Sequence, residues 1–192
     1  MTAEPGTRLL KADLAAISAG AAALRQSGLV AFPTETVYGL GADACNGPAI
    51  ARLYAAKGRP AFNPLIAHVA DVAAARRLAV FSPEADALAA AFWPGPLTLV
   101  LPKQADCPVA ALALAGLDSI AIRIPSHPAA LALLTAFGGP VVAPSANRSG
   151  HVSPTDAAHV LADLRGRIEL ILDDGPCDVG VESTIVALLG DP

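Results

Sequence analysis

Short apolar runs alternate with alanine-rich helical stretches along most of the chain. Runs rich in Val, Ile and Leu predict strands at 29–32, 65–69, 97–101, 119–124, 140–143, 168–172 and 183–189. Helices are predicted at 13–26, 48–57, 71–78, 82–93, 128–137 and 155–164, and Ser82 followed by Pro83 marks one helix start. This alternation predicts an α/β sheet protein.

The Pro-Gly-Pro tripeptide at 94–96 interrupts the strand and helix rhythm. The strands at 97–101 and 119–124 are also separated by a segment with little helical pattern. Consecutive strands without a crossover helix pair antiparallel more readily than parallel. We therefore expect an open, twisted mixed sheet with flanking helices.

Length and hydropathy indicate one domain. A chain of 192 residues suits a single core, so one domain over 1–192 is expected. The mean hydropathy of +0.51 is high, but charged residues, Pro or Gly interrupt every apolar run before about 18 residues. The N-terminus shows no secretion pattern, so a cytoplasmic location is expected.

Charge and cysteine content argue against several classes of protein. The net charge of -4 and the isoelectric point near 5.4 do not favour broad binding to a phosphate backbone. Cys45, Cys107 and Cys177 are far apart, without a CxxC pair or a nearby His pair. They predict neither a disulfide framework nor a metal site, and we expect buried, inert thiols.

Four polar segments flank the apolar strands. They are the PTET loop (PTETVYGLG, 33–41), the KGR loop (KGRPAFNP, 57–64), the SAN loop (PSANRSGHVSPT, 144–155) and the VEST segment (DDGPCDVGVEST, 173–184). Ligands of α/β proteins bind where loops meet at strand ends. The four segments are therefore predicted to share one pocket.

Four cations differ from most of the rest, which lie in helical or terminal positions, and one of the four, Arg148, directly follows PSAN. Lys57 and Arg59 lie together in a Gly/Pro loop and suit a phosphate, with Lys as a point charge and Arg as a planar fork. Arg123 interrupts the apolar strand SIAIRI, where it needs either a buried carboxylate or an anionic ligand. Both alternatives stay open for Arg123.

Other groups have weaker signals. Ser145 and Asn147 can bond phosphate, ribose or base, although a capped turn explains them equally well. His68 and Glu35 are the local candidates for a general base, and Glu35 could instead brace its loop. The P-loop, the GxGxxG fingerprint and GxSxG are all absent.

Read in order, six sequence blocks resemble the YrdC-like threonylcarbamoyl-AMP synthase family. The blocks run from about residue 29 to 186 and comprise PTETVYGLG, KGRPAFNPL, WPGPLT, SIAIRI, APSAN and GVEST. The resemblance implies an open, twisted α/β sheet around a concave, locally positive cavity.

The resemblance also implies a reaction. L-threonine, bicarbonate and ATP, the last with Mg²⁺, would give threonylcarbamoyl-AMP and pyrophosphate. Other proteins would then transfer the threonylcarbamoyl group to adenosine in tRNA. Mg²⁺ would come with the triphosphate, because magnesium sites seldom consist of protein ligands alone.

Family roles carry over to matching positions. The catalytic group would be Lys57, Arg59, Ser145 and Asn147. Threonine would contact Thr34, His68, Arg123 and Ser183, with Arg123 as the clamp for its carboxylate. ATP would contact Lys57, Arg59, Asn63, Ser119, Ser145, Asn147 and Ser153.

Two other functions and one departure from the family remain. A tRNA-binding module without catalysis is the main alternative, and a carbamoyl-transfer domain of hydrogenase maturation proteins is disfavoured because their accessory segments are absent. Many family members continue past the VEST strand into a second domain. Whether this sequence is a compact form or is cut short stays open.

Overall fold

One nine-stranded mixed sheet organises the chain in the computed structural model, which describes residues 6–60 and 62–190. The strands are β1 (Arg8–Lys11), β2 (Val30–Phe32), β3 (Gly39–Asp43), β4 (Ile66–His68), β5 (Leu97–Pro102), β6 (Ser119–Arg123), β7 (Val141–Val142), β8 (Leu170–Asp173) and β9 (Thr184–Ala187). Their order in the sheet is β1-β8-β2-β3-β7-β4-β6-β5-β9.

Seven helices flank this sheet. They are α1 (Leu14–Arg25), α2 (Gly47–Lys57), α3 (Val72–Arg76), α4 (Pro83–Phe92), α5 (Ala111–Leu114), α6 (Pro128–Phe137) and α7 (Ala157–Leu164). A side-chain oxygen caps the first turn in five of them, as Ser82 does for α4. Helix α2 ends at Gly58, whose φ of 61° suits glycine.

The predicted mixed sheet is confirmed. β8 pairs parallel with β1 and β2, β4 with β6, and β5 with β9. The pairs β2–β3, β3–β7, β4–β7 and β5–β6 are antiparallel. The antiparallel β5–β6 pair is the one that follows from the helix-poor segment between these two strands.

Apolar side chains pack on both faces of the sheet. The larger cluster includes Leu53 from α2 and Ile122 from β6. The second contains Phe32 from β2, Leu24 from α1 and Leu133 from α6. Because helices cover both faces, polar side chains on the central strands are buried unless a loop or cleft opens beside them.

Three elements were missed by the sequence pattern: β1, β3 and the four-residue α5. The prediction that 39–41 belong to a loop is wrong, because these residues begin β3. Their glycines make room for a neighbour. A Cβ at Gly41 would lie 2.9 Å from a ring carbon of Phe32, so the strand needs glycine there.

Two expectations from composition can be compared with the described residues. No helix among them is long and apolar enough to cross a membrane. The expectation of buried thiols is wrong for Cys45, which is exposed, while Cys107 and Cys177 are partly buried.

Candidate functional site

The four polar segments meet, as predicted. The backbone N–H groups of Val179 and Gly180 in the VEST segment donate to the carbonyl oxygens of Glu35 and Thr36 in the PTET loop. The N–H of Tyr38 donates to the carbonyl of Pro154 in the SAN loop at 2.9 Å. These bonds hold the PTET loop between the other two segments.

A row of polar side chains crosses three neighbouring strands beneath the PTET loop. Arg123 on β6 is in register with His68 on β4 and with Thr98 on β5. Residues opposite one another in a sheet lie about 5 Å apart and share a face. The hydroxyl of Thr98 lies 2.7 Å from that of Ser183, so Ser183 joins one end of this row.

Arg123 has a carboxylate partner, which is one of the two alternatives for this residue. One terminal nitrogen, Nη2, donates to Glu35 Oε1 at 2.6 Å, and Nε donates to the carbonyl of Gly95 at 3.3 Å. Both charged side chains are buried. No described residue accepts a hydrogen bond from Nη1, so that nitrogen remains available to a ligand.

Glu35 braces its loop and is not placed as a free base. Its second oxygen accepts the backbone N–H of Ser126 at 3.0 Å, where β6 leads into α6. Both oxygens of this carboxylate are thus engaged, one by a guanidinium and one by a backbone amide, which fixes its place in the loop.

Thr34 closes the turn of the PTET loop. Its hydroxyl donates to the carbonyl of Val37 at 2.7 Å and lies 2.8 Å from the hydroxyl of Thr36. Thr34 is buried beside the row, but these local contacts occupy its hydroxyl.

His68 is buried and neutral. Burial lowers its pKa to about 3, and the nearby Arg123 charge acts in the same direction. Nδ1 lies 3.2 Å from the carbonyl of Ile66, and because a carbonyl only accepts, the proton is on Nδ1. Nε2 is then a hydrogen-bond acceptor with no partner among the described residues, and a pKa this low makes it a poor general base.

Lys57 is buried at the end of α2 and joins it to the SAN loop. Its ammonium donates to the carbonyl oxygens of Ser145 and Asn147, and Asn147 Oδ1 lies 3.5 Å away. Burial lowers its pKa to about 8, and the Arg59 charge adds to this shift. All three ammonium protons therefore have an acceptor within the protein, which fixes the loop in place.

Arg59 presents an unsatisfied group. Its Nη2 is 3.4 Å from the carbonyl of Pro64, and its Nε is buried without a hydrogen-bond partner among the described residues. An unpaired buried N–H costs about 1–3 kcal/mol, so an acceptor supplied by a ligand would stabilise this arrangement.

The remaining predicted positions lie on the same loops and on β6. The β4–β6 register puts Ser119 level with Pro64, so Ser119 lies at the Arg59 end of β6 and on the same face as Arg123. The carbonyl of Asn63 accepts a bond from Tyr54. Ser153 donates to Glu182, and no described residue bonds the Ser145 hydroxyl.

Asn147 braces the SAN loop from inside. Its Nδ2 donates to the carbonyl oxygens of Arg148 and His151, at 3.1 and 2.6 Å. Together with the Lys57 contacts, these bonds occupy the Asn147 side chain. The Ser145 hydroxyl and Arg59, whose Nε and Nη1 have no acceptor among the described residues, are therefore left for a ligand.

Thr98 was not identified from the sequence. It lies in the WPGPLT block, and a threonine in an apolar strand is commonplace. The order Leu97, Thr98, Leu99 shows that the threonine lies in a buried strand, but it does not show which strand pairs with that one. Only the register with Arg123 reveals its place in the row.

Two other features lie apart from this cleft. A cavity of about 760 Å³ is lined by residues that include Val69, Arg77, Gln104 and Pro140, and none of the predicted site residues lines it. Among the described residues, no group of three or more His, Cys, Asp or Glu side chains could hold a metal ion.

Comparison with known families gives a match over most of the chain. The model of the Sua5, YciO and YrdC family, described as "Telomere recombination", matches residues 22–192. A threonylcarbamoyl-AMP synthase of Bacillus subtilis is 52% identical over 176 residues, which are 91% of this chain and 51% of that protein. The chain thus spans about half the length of this curated relative.

Solved structures show the same fold. A double variant of Pyrococcus abyssi Sua5 superposes with a TM-score of 0.93 at 47% identity, covering 97% of this chain and 55% of that one. Pyrococcus abyssi Sua5 complexed with L-threonine gives a TM-score of 0.86 at 51% identity, covering 90% of this chain and 50% of that one. The folded region described above is therefore shared with proteins of roughly twice its length.

Proposed function

The chain belongs to the Sua5, YciO and YrdC family, and from this premise we propose that it forms threonylcarbamoyl-AMP and pyrophosphate from L-threonine, bicarbonate and ATP. The observation that carries the proposal is the buried row of Arg123, His68 and Thr98, in which Arg123 Nη1 and His68 Nε2 have no partner among the described residues. Arg59, whose Nε is likewise unpaired, adds a cation close to Lys57. This combination suits a small amino acid at one end and a polyphosphate at the other.

The threonine half of the site is built for a zwitterion with a hydroxyl. Arg123 Nη1 binds the carboxylate in a charge-assisted hydrogen bond. His68 Nε2 accepts a hydrogen bond from the substrate hydroxyl or amine, since the imidazole is neutral at ordinary pH. Ser183, held by Thr98, supplies a further hydroxyl.

The nucleotide half is built for developing negative charge. Arg59 donates to phosphate oxygens through its unpaired Nε, and the Ser145 hydroxyl adds a neutral donor. The Lys57 ammonium holds the SAN loop, so a positive charge lies next to the backbone of Ser145 and Asn147. Mg²⁺ enters with the triphosphate.

The chemistry consists of two attacks by the substrate itself. The ammonium group of threonine first loses a proton to solvent, and the neutral amine attacks CO₂ formed from bicarbonate by loss of hydroxide, releasing a second proton as the carbamate forms. The carbamate oxygen then attacks the α-phosphorus and displaces pyrophosphate. Neither step needs a covalent bond to the enzyme, so positioning and preorganised donors lower the barrier. The buried PTET loop covers the row and limits access of water to the labile mixed anhydride.

Product formation tests this proposal directly. With Mg²⁺, ATP and bicarbonate, the chain should release pyrophosphate only when threonine is added, and mass spectrometry should detect threonylcarbamoyl-AMP. Arg59→Ala should lower the rate by about 100-fold or more, because a donor to the transition-state charge is lost. Surface Arg8→Ala on β1 is the control and should retain full rate.

Two results would overturn the proposal. One is pyrophosphate release that does not depend on threonine. The other is salt-dependent binding of tRNA with no nucleotide turnover, which would support the RNA-binding alternative instead. Delivery of the product to tRNA by other proteins, and a cytoplasmic location, stay predictions.

A further inference from the structure

Glu35 connects three parts of the fold from a buried position. Its side chain bonds Arg123 on β6 and the N–H of Ser126 at the start of the connection to α6. Its own carbonyl accepts the N–H of Val179 in the VEST segment. These contacts join the PTET loop to β6, the central strand of the row, and to the VEST segment, which contains Ser183.

Two hydrogen bonds, one to the Glu35 carboxylate and one to the Gly95 carbonyl, restrict the orientation of the Arg123 guanidinium. Nη2 is held by Glu35 and Nε by the Gly95 carbonyl, so two of the three nitrogens of the planar group have fixed partners. Two fixed points on a planar group define the direction of the third. Nη1 is therefore held in one orientation before any ligand arrives.

We propose that Glu35 is a positioning residue that presents Arg123 Nη1 to the carboxylate of the bound amino acid. Glu35 acts through Arg123 and does not need to touch the substrate. The proposal rests on the proposed function for the identity of the amino acid, but the fixed guanidinium is a property of the ligand-free protein.

The chain contains a matched control for this contact. Glu169 makes the same pair of bonds elsewhere, with Oε1 on Arg52 and Oε2 accepting the N–H of Leu29. That pair joins α2, β8 and the residue before β2, away from the row. Glu35→Gln and Glu169→Gln remove one arginine–carboxylate pair each, and only the first lies beside the proposed site.

The first measurement follows the guanidinium without a ligand. In ¹H–¹⁵N spectra, the Nε–H signal of Arg123, assigned by its loss in Arg123→Gln, should exchange slowly with water in the wild-type chain. It should exchange about 10-fold faster or more in Glu35→Gln, because a guanidinium released at Nη2 is no longer held with its Nε–H against the Gly95 carbonyl. In Glu169→Gln the Arg123 signal should be unchanged.

The second measurement follows threonine by calorimetry and by turnover. Glu35→Gln should weaken threonine binding by about 10-fold or more, with kcat and the KM for ATP changed by less than about threefold. Glu35→Asp retains the charge and should recover part of the lost affinity. Adding Glu35→Gln to Arg123→Gln should cause little further loss, since Glu35 acts through that arginine.

The outcomes separate the two proposals. Slow Arg123 Nε–H exchange that persists in Glu35→Gln would overturn the positioning role, as would equal effects on the threonine and ATP constants. If Glu35→Gln does not fold, the same two readouts on Glu35→Asp decide the question. A wild-type chain that fails to bind threonine, yet shows the exchange difference, would overturn the proposed function and leave the fixed guanidinium intact.

Discussion

At the scale of single residues, the protein stabilises two buried cations in different ways. Arg123 is paired with the carboxylate of Glu35, whereas Lys57 is surrounded by carbonyl oxygens of the SAN loop. The Arg123 charge is thus offset by a full negative charge at close range. A lysine among neutral acceptors pays more for burial, and its pKa is correspondingly lowered to about 8.

Buried His68 should make the protein sensitive to acid. Its pKa is about 3 in the folded chain and about 6.5 in the unfolded chain, so the unfolded state binds the proton first as pH falls. Stability that is present above pH 6.5 is then lost toward pH 3, with a slope from this group of at most about 1.4 kcal/mol per pH unit.

Urea unfolding at pH 7, 6 and 5 measures this slope. His68→Gln, which cannot titrate, should show a shallower loss of stability with falling pH than the wild type. The same substitution at exposed His159 is the control and should leave the wild-type slope. Equal slopes in all three chains would contradict a neutral, buried His68.

At the scale of elements, the two halves of the site depend on different kinds of contact. The threonine half follows from strand register, because β4, β6 and β5 align His68, Arg123 and Thr98. The nucleotide half follows from loop contacts, in which α2 ends at Lys57 and its side chain fastens the SAN loop. Loss of the Lys57 side chain should therefore loosen the nucleotide half and leave the threonine half unchanged.

Lys57→Met should loosen the SAN loop. It leaves two carbonyl oxygens without their donor and should increase exchange of the Ala146 and Ser149 amide hydrogens by about 10-fold or more. Both amides are hydrogen-bonded in the native loop, to Tyr38 and Lys57 carbonyls. Hydrogen-exchange mass spectrometry or NMR gives the readout.

A lysine on the surface provides the comparison. Lys103→Met removes the bond to highly exposed Asp118 and should change stability by less than about 0.5 kcal/mol, with no change in the SAN loop. Loop amides in Lys57→Met that exchange at the wild-type rate would show that Lys57 does not hold the loop.

The sequence pattern predicted long elements better than the contacts among them. Helix α6 was predicted with its observed bounds because Pro128 starts it and Gly138 ends it. Strand β3 was missed because its glycines resemble those of a loop. They are needed to make room for the Phe32 ring, and this contact becomes visible only when the β2–β3 pairing is known. The partner of Arg123 could not be predicted either. A charge in an apolar strand indicates that a partner is needed, but it does not show whether that partner is a carboxylate of the protein or a ligand.

At the scale of the whole molecule, one sheet lies between two apolar clusters, and helix α6 contributes to both, with Leu133 in one and Leu131 packed against the other. Leu24 and Leu133 pack on one side, and Leu53 and Ile122 on the other. Each cluster depends on the sheet between them, so neither can form its full set of contacts alone. This arrangement favours a single cooperative transition.

Unfolding followed by two probes tests this cooperativity. The chain has one tryptophan, Trp93, whose fluorescence reports on the larger cluster, while far-UV circular dichroism reports on all helices and strands. The two urea transitions should coincide in midpoint and in slope. A tryptophan transition at lower urea than the loss of helix signal would show that the clusters unfold separately.

The contact between the VEST segment and the PTET loop also sets an order of events during synthesis. Translation proceeds from the N-terminus, so the strands that carry His68, Thr98 and Arg123 leave the ribosome before Val179 and Ser183. A nascent chain can pair Glu35 with Arg123 early, yet it lacks the backbone bonds that fasten the PTET loop. The VEST segment therefore completes the site late in synthesis, and a chain released before Val179 would leave the PTET loop unfastened over Arg123.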